Sequence, residues 1–97
     1  MNRQTSSYEL SGFWAMTRDE REKHNKRLLD AQRLHLLSPE KRKTYLETLH
    51  IHTLVGYSIT LEMLSKPAYS SCKEHLYDVL ASLSERQEKL SQLLANM

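Results

Sequence analysis

The residues of this 97-residue chain whose types and spacing suggest chemistry are a pair of histidines, a lone cysteine and two short basic runs. His50 and His52 stand two apart. On a strand both rings would project from one side and chelate a metal, whereas on a helix they diverge by about 200°. Cys72 is the only cysteine and no second ligand pair stands at diagnostic spacing, so neither a metal nor a cofactor is expected. Lys23, Lys26 and Arg27, and then Lys41, Arg42 and Lys43, are of the right type to meet phosphates, and such binding would be dominated by counterion release and weakened steeply by salt. Acids are interleaved among them, however, and a net charge of +2 is small for a dedicated DNA-binder. Ser38-Pro39 has the look of a helix-turn-helix corner, yet the stretch after it is too apolar in its middle to lie in a groove. With two isolated glycines there is no Gly-rich loop to cradle a phosphate.

Arg18-Asp19 followed by His24 resembles the Arg-polar-x(4)-His motif of the HEPN ribonuclease family, in which paired motifs from two helical protomers cleave RNA. The resemblance covers seven residues and would imply an RNA-cleaving role for Arg18 and His24. The plainer reading of the same residues is a solvated charged turn, and no enzyme is expected.

Whatever these residues do, helices must position them. The last quarter of the chain carries the clearest pattern: Leu76, Leu80, Leu83, Gln87, Leu90, Leu94 and Met97 fall at alternating steps of four and three. That spacing keeps one seam facing a partner helix when helices wind around each other. Lys73, Asp78, Glu85, Arg86, Glu88 and Lys89 lie off the seam. Gln87 alone interrupts it, either fixing register or marking where it opens to solvent. Ser71 with Glu74 reads as a capping box for this helix. The seam packs either inside the chain's own bundle or, especially from Leu90 onward, against a second chain.

Earlier in the chain, Ser6 and Glu9 could cap a short turn leading into Phe13 and Trp14. Large aromatics gain most from burial, so these two are expected to clip onto a groove; the alternative is an exposed anchor for another protein. Thr17 and Glu20 form a capping box that starts a helix at Arg18. Its first turns, RDEREKHNKR, are all charged or polar and are expected to protrude into solvent or onto something polar. Ser38-Pro39-Glu40 combines a favoured N-cap, a proline at the first helical position and an acid in the first turn, which sets a sharp corner and a new helix. Between 49 and 63, apolar residues at odd positions also read as a strand, but a strand that long is unusual and no hairpin turn is present. Helix is the better reading, and it should be the most buried one. Gly56 would let another helix approach closely, and Lys66-Pro67 ends the segment.

A hydrophobic share of 39% and a charged share of 27% suit a helical protein with long exposed faces. Charge is uneven: nine Lys and Arg face five acids between 18 and 43, and four face six from 44 onward. The N-terminus lacks a secretory pattern and nothing approaches the ~20 apolar residues of a membrane span, so a cytoplasmic address without membrane contact is expected. The sequence thus predicts an all-α fold of about three helices, near 18–37, 39–65 and 71–97, in an antiparallel hairpin or small bundle. Residues 1–16 form an arm and 17–97 a single helical domain. The expected function is a non-enzymatic interaction module (regulator, adaptor, chaperone or inhibitor) that binds another protein through helix faces, as a homodimer. Its expected interface residues are Leu83, Gln87, Leu90, Leu94, Met97, Phe13 and Trp14. The runner-up is a nucleic-acid-binding regulator using the basic segment 18–43.

Overall fold

The computed structural model of the protein describes residues 12–97, and within them every regular element is helical. The turn expected at Ser6 and Glu9 lies outside the described residues. A helical turn over 12–15 leads into α1 (Arg18–Leu28), a short α2 (Ala31–His35), the long α3 (Pro39–Leu64), a 3-10 segment (Pro67–Cys72) and α4 (Lys73–Ala95).

Local chemistry sets most of these boundaries. At the start of α1 the Thr17 hydroxyl accepts from the Glu20 N–H at 3.2 Å, and the Glu20 carboxylate accepts from the Thr17 N–H at 3.0 Å. The capping box is therefore complete. The single helix expected over 18–37 is instead divided. Asp30 takes the Gln32 N–H on its carboxylate at 3.0 Å and opens α2 as a new helix, the competition with backbone bonding that Asp side chains offer. The Arg42 guanidinium then reaches back from α3 to the carbonyls of Leu34 (2.9 Å) and Leu37 (3.1 Å), at and just beyond the end of α2. Ser38 caps α3 through the Lys41 N–H, with Pro39 at the first helical position. The stretch 49–63 lies wholly inside α3, so the strand alternative falls away. Lys66, ahead of Pro67, is extended (φ −96°, ψ 134°) as a residue before proline should be. The Ser71–Glu74 capping box does not form, because Ser71 is taken up in the 3-10 segment and Cys72 occupies the N-cap without a side-chain bond.

α4 lies between the others. It is packed by α3 on one side and α1 on another, and seven of its residues are buried against five in α3. This corrects the expectation that the 39–65 helix is the most enclosed. Contacts between α3 and α4 run in opposite chain order: Leu46 and Leu49 meet Leu90, His50 meets Gln87, Thr53 meets Arg86, and Tyr57 packs toward Leu83. Two apolar clusters result. One gathers Leu34, Leu46, Leu49 and Leu90, with Leu28, Leu29, Leu37 and Tyr45 around it. The other gathers Phe13, Val79 and Leu83, with Trp14, Met16 and Tyr57 around it. The whole is 45 × 28 × 21 Å.

Candidate interaction surfaces

Between the two clusters runs a layer of buried polar groups. Arg21 and Arg86 are both fully buried. The Arg21 guanidinium donates to the Asp78 carboxylate, to the Ser82 hydroxyl at 2.9 Å and to the Met16 carbonyl. Asn25, one turn further along α1, donates to the Ser82 carbonyl at 3.1 Å and accepts from Arg86 Nε at 2.9 Å. Arg86 also donates to the Thr53 hydroxyl at 3.3 Å, and its guanidinium carbon sits 4.7 Å from the centre of the Phe13 ring, a cation–π distance. This layer binds three elements together: α1 through Arg21 and Asn25, α4 through Asp78, Ser82 and Arg86, and α3 through Thr53. Of the two placements expected for the first turns of α1, one side takes the second and lies on polar groups of α4. Arg21 and Asn25 join α1 to α4, and Arg86 is an inward residue of α4, not an outward charge. A signal for this was present: 21 and 25 on one helix and 78, 82 and 86 on the other are spaced in fours, each a polar stripe on one helical face.

The layer and the leucine cluster meet the same side of α3. Inward lie Leu46 and Leu49, then Thr53, Gly56 and Thr60. Each threonine donates to the carbonyl four residues back, at 2.7 Å, which frees its oxygen to accept from a second group. Thr53 so accepts from Arg86, and Thr60 from the Trp14 indole N–H at 3.0 Å. With small and hydroxylated residues turned inward, the apolar residues of the same stretch are turned out. Ile51 is 58% exposed, Leu54 and Val55 45% each, and Leu61 47%. At 100° per residue, 51, 54, 55, 58 and 61 share one face, a continuous apolar stripe interrupted only by Ser58. At the stripe's edge a cleft of about 280 Å³ between α3 and α4 is lined by Leu54, Tyr57, Leu83 and Gln87.

The residues expected to face a partner divide differently. Leu83 and Leu90 are fully buried in the chain's own core and Leu94 is half-buried, because α3 and α1 already cover the seam; only Met97 is open, at 51%. Gln87 points at the His50 ring, 3.0 Å from its Nδ1. Phe13 is fully buried, and Trp14 is held by Thr60 and, through its carbonyl, by His75 at 2.6 Å. These two aromatics clip the turn over 12–15 onto the helices.

Of the six candidate phosphate-binding residues, Arg42 is occupied with carbonyl capping and Lys23 pairs with Asp19 at 3.2 Å. Lys26, Arg27, Lys41 and Lys43 are exposed. Arg18 meets Asp78 at 3.2 Å and Glu22 and Glu85 at 3.9 Å, while the His24 ring packs 5.9 Å from that of Phe13, so the two residues resembling the ribonuclease motif have separate neighbours. His50 and His52 sit on a helix, and no group of three metal-ligating side chains comes together among the described residues. Among them, too, no helix is long and apolar enough to cross a membrane. Comparison of the chain with protein-family models, with curated proteins and with solved structures finds no match.

Proposed function

We propose that this chain is a non-enzymatic helical interaction module. In this reading α3 and α4 form an antiparallel hairpin braced by α1, and the outer face of α3 packs against the same face of a second copy. The observation that carries it is the stripe of Ile51, Leu54, Val55 and Leu61, each about half in water although the helix has another side to bury. A two-fold axis level with Gly56 would set Ile51 of one copy against Leu61 of the other and Leu54 against Ser58, so that the same patch meets itself. An antiparallel pairing also brings the exposed Glu47 of one copy toward the exposed Lys66 of the other. Bringing each half-exposed side chain out of water yields about 1 kcal/mol, and lost translational freedom offsets much of the total. The dimer expected is accordingly weak, in about the micromolar to millimolar range.

Sedimentation equilibrium over that range tests the reading. Association that Leu54→Glu or Val55→Glu abolishes, with helicity retained, supports it; a monomer at every concentration removes the homodimer. Fluorescence polarisation against duplex DNA and RNA at two salt concentrations tests the runner-up. Submicromolar binding that collapses with salt would replace the proposed function by nucleic-acid recognition through Lys26, Arg27, Lys41 and Lys43.

A further inference from the structure

At the end of the molecule away from Phe13, the short α2 and the end of α1 close over the start of α3 and leave a cleft of about 380 Å³, within the size range of sites that accept a bulky side chain. Leu28, Leu36, Leu37 and Tyr45 line it, and Arg27 and Arg33 stand in its wall. Leu36 is 84% exposed, the barest of the large apolar side chains among the described residues. The Tyr45 hydroxyl is engaged with the Leu28 carbonyl at 2.7 Å, so the ring offers an apolar surface rather than a free donor. Neither Arg27 nor Arg33 forms an ion pair among the described residues, in contrast to Arg18, Arg21 and Lys23. Both carry a fork-shaped guanidinium, suited to bidentate grip of a carboxylate. The segment that forms the cleft is basic: from 26 to 43 there are six Lys and Arg and two acids, and of those acids Asp30 is committed to capping α2.

We infer that this cleft is a docking site for an acidic–apolar peptide segment of a partner protein, a large apolar side chain seated on Leu28, Leu36 and Tyr45 and its flanking carboxylates held by Arg27 and Arg33. The charge complementarity selects an acidic occupant, and the leucine floor selects a peptide over a nucleic acid, whose phosphates gain nothing from apolar contact. The site rests on the reading of the chain as an interaction module but shares no residue with the α3 stripe, so the two stand or fall separately.

The test uses the full chain and a fluorescein-labelled peptide with a Leu-Phe pair between runs of Asp and Glu. Three control probes accompany it: the same peptide with Ser for Leu-Phe, the same with Asn and Gln for the acids, and single-stranded oligouridine. The expected result is saturable binding of the first probe, weakened by about tenfold or more with either peptide control and with Arg27→Glu/Arg33→Glu, as loss of a desolvated contact or a charge pair should do. Leu36→Ser should weaken it, and Leu54→Glu should leave it unchanged. These substitutions lie on exposed positions, and retained circular dichroism shows that the fold survives them. The inference is overturned by equal binding of the Ser control, by tighter binding of oligouridine, by indifference to the double arginine reversal, or by no saturation up to about 1 mM, the weak limit for a specific contact.

Discussion

One end of the α3–α4 pair and its middle are held by different physics. At the end where α3 begins, Leu34, Leu46, Leu49 and Leu90 pack side chain against side chain. In the middle, Arg21, Asn25, Ser82, Arg86 and Thr53 form a hydrogen-bonded layer that leans on the Phe13 ring. Leucines are indifferent to rotation by a few tens of degrees, since contact between apolar groups has no direction. The arginine layer is not indifferent, because each buried N–H needs its own acceptor. The leucine end thus supplies most of the driving force and, with Leu46 and Leu49 buried, turns the same face of α3 inward that Thr53 does, while the arginine layer fixes its fine rotation. The stripe left in water is a consequence of both.

Substitutions can break this division of roles. The largest effect is expected at the leucine end: Leu46→Ala or Leu90→Ala should cost about 2–5 kcal/mol in urea unfolding, from lost transfer energy and the cavity left behind. If either costs under about 1 kcal/mol, that end is not the main source of stability. Next comes Arg86→Ala, which leaves Asn25 and Thr53 without their donor and should cost about 2–4 kcal/mol. Arg86→Met keeps the volume, and buried charges exchanged for apolar residues are often nearly neutral. It should recover much of the stability yet loosen the packing, seen as broadened amide resonances around Thr53; sharp, unshifted resonances would deny the layer its specifying role.

Smaller effects sharpen the picture. Gln87 interrupts the seam and its Oε1 is buried without a donor among the described residues, so Gln87→Leu should stabilise by about 1 kcal/mol. At the head of α1, Thr17→Ala should cost about 0.5–2 kcal/mol through loss of the N-cap. The smallest is a pH effect at Glu20. The Thr17 backbone N–H, and after it the Thr17 hydroxyl, hold this carboxyl below the ordinary glutamate value. A carboxyl with a lowered folded-state pKa adds stability above its unfolded value, and that stability is lost as pH falls through the folded value. The destabilisation caused by Glu20→Ala at neutral pH should therefore shrink in acid; a difference that stays constant would mean the carboxylate form is not what caps the helix.

How much of this was legible depended on range along the chain. Thr17 with Glu20, Ser38 with Pro39, and Lys66 before Pro67 all mark their boundaries within four residues, and each boundary falls where the residues place it. Asp30 was a local signal as well, but the leucines on either side read as one helix and masked it. Ser71 with Glu74 had the right letters and failed, because Pro67 begins a 3-10 segment that runs through Ser71. The candidate surfaces were harder to see. Periodicity finds an apolar face but not which of two faces a neighbour will cover, and α3 offers both a leucine–threonine–glycine side and an isoleucine–leucine–valine side.

By itself, then, the sequence determined that the described residues are helical, where α1 and α3 begin and where α3 ends, and that the last helix needs an apolar surface against it. Those properties follow from backbone satisfaction and apolar spacing, which act over a few residues. The tertiary structure alone decided that Arg21 and Arg86 are interior, that the seam is closed by α1 and α3, and that an apolar stripe remains outside. The physical reason is that a buried guanidinium takes its acceptors from separate helices, so its place exists only once those helices have met.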